Sequence, residues 1–290
     1  MGSLNLCCHR ALPNARLLPC SSALNNIITI KPHLLSSSSS SSIFHHHRHF
    51  CNSPTAVAST AKQLTSPELV ALEYADLNLN YDNVSQIPAP VPNWCQVFKD
   101  STLPLMVDIG SGSGRFLMWL AKRNPDSQNY LGLEIRQKLA KRAEFWVKEL
   151  SLHNIHFMFA NATISFKELV SAYPGPLMLV SLLCPDPHFK KRHHKRRVVQ
   201  KPLVDSIVKN LMPGGQVFIQ SDVLEVAVDM RDRFDAESDL LQHIDTIDPS
   251  MQCDEEGWLV KNPMGIRTER EIHAEFEGAK IYRRLYQKLI

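Results

Sequence analysis

Apolar and polar positions alternate along the chain from Leu105 onward in segments of two kinds. Short apolar runs such as 105–109 (LMVDI) are typical of buried strands, and 114–123 repeats its apolar residues at helical spacing. The same alternation continues along the chain, which predicts a parallel sheet whose strands are connected by helices. Further strands are predicted at 130–135, 155–160, 177–183 and 215–220, a helix at 136–150, and two late strands near Ile244 and at 279–286.

Strands separated by helical crossovers predict an α/β fold of the doubly wound, Rossmann-like class, with helices on both faces of the sheet. In such folds, ligands bind at the edge formed by the carboxyl ends of the strands. We assign residues 105–290 to this domain, 68–104 to an N-terminal extension and 1–67 to a leader. The loops after the predicted strands are therefore where we expect a binding site.

Residues 1–67 differ in composition from the rest of the chain. They contain five Lys or Arg, no Asp or Glu, and seven consecutive serines at 36–42. A basic, serine-rich segment without acids is typical of an organelle transit peptide, and a disordered tail is the other interpretation. We expect the segment to deliver the protein to a chloroplast, with a mitochondrion as the alternative destination.

Charge and cysteine content narrow the function only slightly. The whole chain has a net charge of +3, and subtracting the five cations of 1–67 leaves −2, so net charge does not indicate a nucleic-acid partner. Cys95, Cys184 and Cys253 lack the C-x-x-C spacing of a zinc site. We expect no metal site, no disulfide framework and no membrane span.

A glycine-rich segment, DIGSGSG (108–114), follows the first predicted strand. Glycines at a strand-to-helix junction let the backbone turn sharply and approach a ligand closely. A dinucleotide fingerprint, G-x-G-x-x-G, would need glycine at Arg115. Gly110 and Gly112 are therefore better suited to S-adenosylmethionine, which has no pyrophosphate, and Asp108 is a candidate partner for its ammonium group.

Two further strand ends complete the predicted cofactor site. Glu134 lies 26 residues after Asp108, at the end of the second strand, where a carboxylate can accept both hydroxyl groups of a ribose. Asn161 follows the third strand, and its side chain or the amide of Ala162 can contact an adenine edge. Because NAD-binding folds use the same carboxylate, Glu134 indicates a ribose rather than one particular cofactor.

The fourth predicted strand ends in an acid between two prolines, and a run of cations follows. Pro185 and Pro187 stiffen the backbone around Asp186. Residues 190–197 (KKRHHKRR) hold six Lys or Arg and two His. Concentrated positive charge beside the ligand edge favours contact with nucleic-acid phosphates, although a solvated surface or a nuclear-import signal has the same composition.

These motifs together resemble those of the tRNA (guanine-N7)-methyltransferases. The resemblance implies a seven-stranded sheet whose last strand is antiparallel, and methylation of guanine 46 in the variable loop of tRNA, with S-adenosylmethionine as methyl donor. One position departs from the family, because Cys184 stands where the family more often has phenylalanine. The matching segments are PDPHFKKRHHKRRVVQ (185–200), DIGSGSGRF (108–116), GLEI (132–135), QSD (220–222) and RTERE (267–271).

The resemblance also implies roles for individual residues, with Asp186 as the active-site acid. Whether Asp186, Asp222 or Glu271 holds the target base stays open. The implied cofactor contacts are Asp108, Gly110, Gly112, Glu134, Ile135, Asn161 and Ala162. The implied substrate contacts are Lys190, Asp222, Thr268, Glu269 and Glu271, and the residues expected to contact the RNA backbone are Lys191, Arg192, Lys195, Arg196 and Arg197.

Two other functions remain open from the sequence. An amino-group methyltransferase also carries proline-flanked polar residues after the fourth strand, but usually as a Pro-Pro pair followed by an aromatic residue, whereas single prolines flank Asp186. A non-catalytic RNA-binding subunit would not need the acids Asp108 and Glu134. We expect tRNA as the macromolecular partner, no obligate protein partner, and a monomer or weak homodimer.

Overall fold

The computed structural model describes residues 87–289. The leader assigned to 1–67 lies outside these residues, as does the part of the extension at 68–86. A 3₁₀ helix spans Lys191–Arg196. The other elements are α1 (Trp94–Val97), β1 (Leu105–Ile109), α2 (Arg115–Arg123), β2 (Asn129–Glu134), α3 (Gln137–Glu149), β3 (Ile155–Phe159), α4 (Ala162–Ser171), β4 (Leu177–Leu183), α5 (Lys201–Asn210), β5 (Leu211–Ser221), α6 (Leu224–Asp235), β6 (Leu241–His243), α7 (Ile244–Ile247), α8 (Glu269–Phe276) and β7 (Tyr282–Lys288).

The strands form one seven-stranded sheet in the order β3-β2-β1-β4-β5-β7-β6. Strands β1 to β5 are parallel, and β7 pairs antiparallel with both β5 and β6. The strand order reverses direction between β1 and β4, and a crevice opens at such a reversal in doubly wound sheets. The predicted fold class, including the antiparallel last strand, is confirmed.

Alternating residues of the central strands pack against helices on opposite faces of the sheet. Leu105 and Val107 belong to a cluster with apolar residues of α4, α5 and α6, whereas Met106 packs with those of α2 and α3. Side chains of consecutive strand residues point to opposite faces, so a strand covered by helices on both sides is apolar throughout. This is why every residue of β1 except Asp108 is apolar, although neighbouring side chains point to opposite faces.

The late elements differ from their predicted positions by a few residues. The strand predicted near Ile244 ends at His243, and Ile244 begins the short helix α7. Its side chain is buried with Phe218 and Leu285, so an apolar residue there does not distinguish strand from helix. Strand β5 begins at Leu211 rather than 215, because the chain remains paired with β4 before the glycines that resemble a turn in the sequence.

Residues 94–98 pack into the main core although they precede the assigned domain boundary at 105. The Trp94 and Phe98 rings are stacked, with centroids 5.8 Å apart, and both contact the edge of Tyr173. Each of the two is only 3% exposed. The packed unit therefore begins before β1. Within residues 87–289, the helices are too short or too polar to span a bilayer.

Candidate active site

The loops after β1, β2, β3 and β4 surround a cavity of about 460 Å³ at the carboxyl edge of the sheet. Gly110, Glu134, Asn161 and Asp186 all line it, although they lie up to 76 residues apart in sequence. Parallel strands that end together at one edge bring these positions into one site. The other predicted site residues on its wall are Ile135, Ala162, Lys195, Arg196 and Arg197.

The glycine-rich loop requires glycine for two different reasons. Gly110 has a φ of 84° and a side chain there would meet no atom, so its conformation alone favours glycine. At Gly114, with a φ of 77°, a Cβ would lie 2.5 Å from the ring of Phe157. Gly114 therefore allows α2 to begin directly against β3, because there is no room for a side chain between its backbone and the ring of Phe157.

Glu134 is held in place by the loop that it faces. Its carboxylate accepts hydrogen bonds from the amide of Gly112 at 2.7 Å and from the amide of Arg136 at 2.9 Å. The Arg136 guanidinium also donates to both carboxylate oxygens, at 2.9 and 3.3 Å. These donors orient an acid that is 2% exposed and lines the cavity. Arg136 is a site residue that the sequence prediction missed, and its signal was a cation two residues after the strand-end acid.

Asp108 lies behind the cavity rather than on its wall. It is 4% exposed, and Ser181 of β4 donates a hydrogen bond of 2.6 Å to its carboxylate. Burial raises the pKa of Asp108 to about 7; the hydrogen bond from Ser181 opposes this shift, and the charge of Glu134 adds to it. The sequence did not indicate Ser181, because only the register between β1 and β4 places it opposite Asp108.

Asn161 caps helix α4. Its side-chain oxygen accepts hydrogen bonds from the amide of Thr163 at 3.0 Å and from the hydroxyl of Thr163 at 2.7 Å. A cap of this kind satisfies amide groups that have no partner in the first helical turn. The side-chain oxygen of Asn161 is therefore bonded within the protein. Asn161 and the first residues of α4 form this part of the cavity wall.

The Pro-Asp-Pro turn is bounded by two strained residues. Cys184 and His188 have φ angles of 50° and 46°, a region that residues with side chains rarely adopt. Between them, Asp186 is exposed and faces the cavity. Burial raises the pKa of Cys184 to about 12, so its thiol stays neutral and is a poor nucleophile.

The basic run divides into three parts. Lys190, Lys191 and Arg192 are exposed and lie outside the cavity lining, whereas Lys195 and Arg196 are exposed on its wall. The expectation that Arg197 faces RNA does not agree with its position, because its side chain is only 5% exposed. The Arg197 guanidinium is paired with two acids of α6, Glu225 at 2.7 Å and Asp229 at 3.4 Å.

The segment 268–271 packs beside the glycine-rich loop. Glu269 pairs with Arg115 at 2.8 Å and accepts a hydrogen bond of 2.8 Å from the hydroxyl of Ser113. Arg270 pairs with Asp222 at 2.5 Å. Among the residues described, none of these side chains lines the cavity, and the acids expected to contact substrate are bound to protein cations.

Glu271 is also occupied by protein partners and is fully buried. Its carboxylate accepts from Arg283 at 2.7 Å, from Gln220 at 3.1 Å and from Asn262 at 3.0 Å. It also forms a capping box with Thr268 at the start of α8. This position does not support the expected substrate contact at Glu271, because its side chain is fully buried and, unlike that of Glu134, does not line the cavity. In residues 87–289, His, Cys, Asp and Glu side chains form no cluster of three that could hold a metal ion.

Comparison with known proteins identifies close sequence relatives. A family model described as a putative methyltransferase matches residues 102–284. The chain is 48% identical over 198 residues to the tRNA (guanine-N(7)-)-methyltransferase of Synechococcus sp. (strain JA-3-3Ab), covering 68% of this chain and 78% of that protein. It is 43% identical over 197 residues to the protein of that name from Synechocystis sp. (strain ATCC 27184 / PCC 6803 / Kazusa), covering 68% and 88%. Among solved structures, an rRNA methylase of Streptococcus thermophilus aligns with a TM-score of 0.41 at 12% identity, covering 68% of this chain and 92% of that one.

Proposed function

This chain belongs to the family of tRNA (guanine-N(7)-)-methyltransferases, and we propose that it methylates guanine 46 in the variable loop of tRNA. It is a transferase that moves a methyl group from S-adenosylmethionine to N7 of a guanine. One observation supports the assignment of the site. The cavity that contains Glu134 also contains Asp186 and two exposed cations, Lys195 and Arg196.

The cavity residues fit the cofactor. When bound, S-adenosylmethionine supplies an electrophilic methyl group on a sulfonium sulfur. We propose that Glu134 accepts the ribose hydroxyls, because its carboxylate is oriented by Gly112 and Arg136 at the strand end where ribose-binding acids lie. Gly110 presents backbone without a side chain, and the start of α4 at Asn161 and Ala162 forms the wall proposed to contact the adenine.

The reaction needs alignment rather than proton removal. N7 of guanine carries a lone pair and no proton, so its attack on a methyl group requires no general base. Methyl transfer makes the guanine cationic and its N1–H and N2–H donors more acidic. We propose that the Asp186 carboxylate accepts hydrogen bonds from this edge, which selects guanine over adenine and stabilises the developing charge.

Asp186 is favoured over the other two acids by its surroundings. Asp222 is paired with Arg270, and Glu271 is buried among four protein donors. Asp186 is exposed at the cavity wall, between prolines that hold its backbone. Lys195 and Arg196 on the same wall provide the positive charge that a phosphate near the target base would require.

The test compares Asp186→Asn with wild type on unmodified tRNA. We expect kcat to fall about 100-fold, since one preorganised interaction in the transition state contributes about 3 kcal/mol. The affinity for S-adenosylhomocysteine should change less than about twofold, because the substitution lies outside the proposed ribose and adenine contacts. The matched control is Asp126→Asn, since Asp126 is an exposed acid between α2 and β2, at the opposite edge of the sheet.

Mapping the product separates this function from its alternatives. Borohydride and aniline cleavage reports 7-methylguanine, so cleavage at guanine 46 is expected after reaction with the purified chain alone. Methylation at an exocyclic amino group would give no cleavage and would contradict the proposal. Binding of tRNA without turnover would indicate a non-catalytic subunit, and activity that appears only after another protein is added would contradict a single-chain enzyme.

We propose that the enzyme acts in the chloroplast. The proposal is supported by the composition of residues 1–67, which are basic, rich in serine and free of acids. A fluorescent protein fused behind residues 1–67 should accumulate in chloroplasts. Accumulation in mitochondria would favour the alternative destination, and a diffuse cytosolic signal would contradict a targeting role.

A further inference from the structure

A buried cation lies directly behind the turn that carries Asp186. Arg197 is the last residue of the basic run, but its side chain is turned inward and is 5% exposed. Its Nε donates a hydrogen bond of 3.0 Å to the carbonyl oxygen of Pro187, the residue that follows Asp186. A buried donor that bonds a backbone carbonyl restrains the position of that carbonyl, because losing the contact would leave the Nε–H group without this partner in a buried site.

The opposite side of the same guanidinium is held by helix α6. Glu225 accepts from Nη2 at 2.7 Å, and Asp229 lies 3.4 Å from Nη1. Asp229 also accepts from Arg233, one helical turn further along. A planar guanidinium can make these contacts together because its donors point in fixed, separate directions. Arg197 therefore connects the loop after β4 to the helix after β5.

The turn needs such a connection because its ends are strained. Cys184 and His188, on either side of Pro-Asp-Pro, both have positive φ. Such conformations persist only where the surrounding structure holds them. The first end is held by the amide of Cys184, which donates to the carbonyl of Gln220 at 2.7 Å. The two prolines have no amide hydrogen to donate, so the carbonyl of Pro187 is the natural second point of attachment.

We infer that Arg197 is a positioning residue, which holds the carbonyl of Pro187 and thereby keeps the Asp186 carboxylate directed into the cavity. This inference rests on the proposed function, in which Asp186 contacts the target base. The acids of α6 act through Arg197 by fixing its guanidinium. The last cation of the run therefore serves the geometry of the reaction, whereas its exposed neighbours contact phosphates.

The test measures kcat, KM for tRNA and the salt dependence of tRNA binding for two variants. Arg197→Met removes the guanidinium and keeps the apolar stem, and Arg197→Lys keeps the charge without the forked donors. We expect Arg197→Met to lower kcat about 30-fold, since displacing a reacting group by about 1 Å can cost up to about 100-fold. Its KM should rise less than about threefold, its salt slope should match wild type, and Arg197→Lys should recover part of kcat.

The comparison variant is Arg192→Met, which removes an exposed cation of the same run. A phosphate contact should instead raise KM and lower the salt slope by about one. If Arg197→Met behaves in this way and keeps kcat at saturating tRNA, Arg197 is an RNA contact and the inference is wrong. Calorimetric binding of S-adenosylhomocysteine, within about twofold of wild type, verifies that each variant has folded.

A double-mutant cycle with Asp186→Asn decides whether Arg197 acts through Asp186. If it does, adding Arg197→Met to Asp186→Asn should lower the residual kcat by less than about threefold. If the kcat losses of the two single variants multiply in the double variant, Arg197 acts independently of Asp186 and the inference is wrong. If the proposed role of Asp186 is wrong, the result is different, because Asp186→Asn by itself then keeps its turnover. The inference alone fails if Asp186→Asn is inactive while Arg197→Met remains fully active.

Discussion

The acids of this site have similar side chains but different surroundings. Asp186 is exposed on the cavity wall, Asp108 is buried against Ser181, and Glu271 is enclosed by protein donors. A carboxylate on the cavity wall can contact a ligand, whereas one buried away from the wall contributes to the fold. The three acids lie within β1, after β4 and in the first turn of α8, and only their surroundings in the structure distinguish their roles.

Asp108 gives a prediction about pH and stability. Burial raises its pKa from an ordinary value of 3.8 to about 7, so the folded protein holds a proton that the unfolded chain has already released. This contribution to stability is complete below the unfolded pKa and is lost as pH rises through about 7. We expect the free energy of unfolding of wild type, relative to Asp108→Asn, to fall by about 1–3 kcal/mol between about pH 5 and about pH 8.

Urea unfolding of both proteins across this pH range measures the difference. The control is Asp126→Asn, whose acid is exposed, and its difference from wild type should stay nearly constant with pH. A constant difference for Asp108→Asn as well would contradict a buried, protonated carboxyl. A difference that grows with pH would mean that the folded state favours the charged form.

At the scale of elements, the 3₁₀ helix at Lys191–Arg196 determines how the basic run is presented. Its short turns expose Lys191 and Arg192 outside the cavity, and they expose Lys195 and Arg196 on its wall. The run thus forms one charged surface that extends from the cavity to the outside of the protein. An RNA strand bound along it would place its phosphates beside the loop that carries Asp186.

This arrangement predicts a salt-dependent affinity for tRNA. Replacing both Lys191 and Arg192 by glutamine should lower the slope of log affinity against log salt by about two, because two phosphate contacts are lost. The matched control replaces Lys148 and Lys209, which lie in the last turns of α3 and α5 and therefore at the opposite edge of the sheet. An equal change in slope for both pairs would contradict a localised RNA surface.

The elements themselves were predicted well wherever burial on both faces produces a continuous apolar run. Strands β1 to β4 lie within one residue of their predicted ends. The start of β5 and the position of β6 were less accurate, because glycine resembles a turn and a buried isoleucine fits a strand or a helix equally well. Pairing with neighbouring strands decided both cases.

At the scale of the whole molecule, the packed unit includes residues before the first strand of the sheet. Trp94 and Phe98 are buried in the main cluster with residues of α4, α5 and α6. A boundary at 105 would remove two large aromatic side chains from that cluster. The sequence did not reveal this because a helix of four residues is too short to show a periodic pattern.

Replacing Trp94 by alanine tests the extended core. We expect the free energy of unfolding to fall by about 3–5 kcal/mol, as for other buried aromatic residues. The control is Trp119→Ala, since the Trp119 side chain is 55% exposed and should cost less than about 1 kcal/mol. Chemical unfolding of both variants provides the comparison, and similar losses would contradict the packing of residues 94–98 in the core.

The sequence alone determined the fold class, the glycine-rich turn, the rigid acid and the basic run, because these depend on local chemistry and on apolar periodicity. Only the tertiary structure decided which side of each loop a side chain occupies. Arg197 meets Glu225, 28 residues away, and Glu271 meets Gln220, 51 residues away. The same charged residue is compatible with solvent and with a buried partner until the elements that pack around it are in place. The sequence could therefore not show that Arg197 and Glu271 are buried against protein partners.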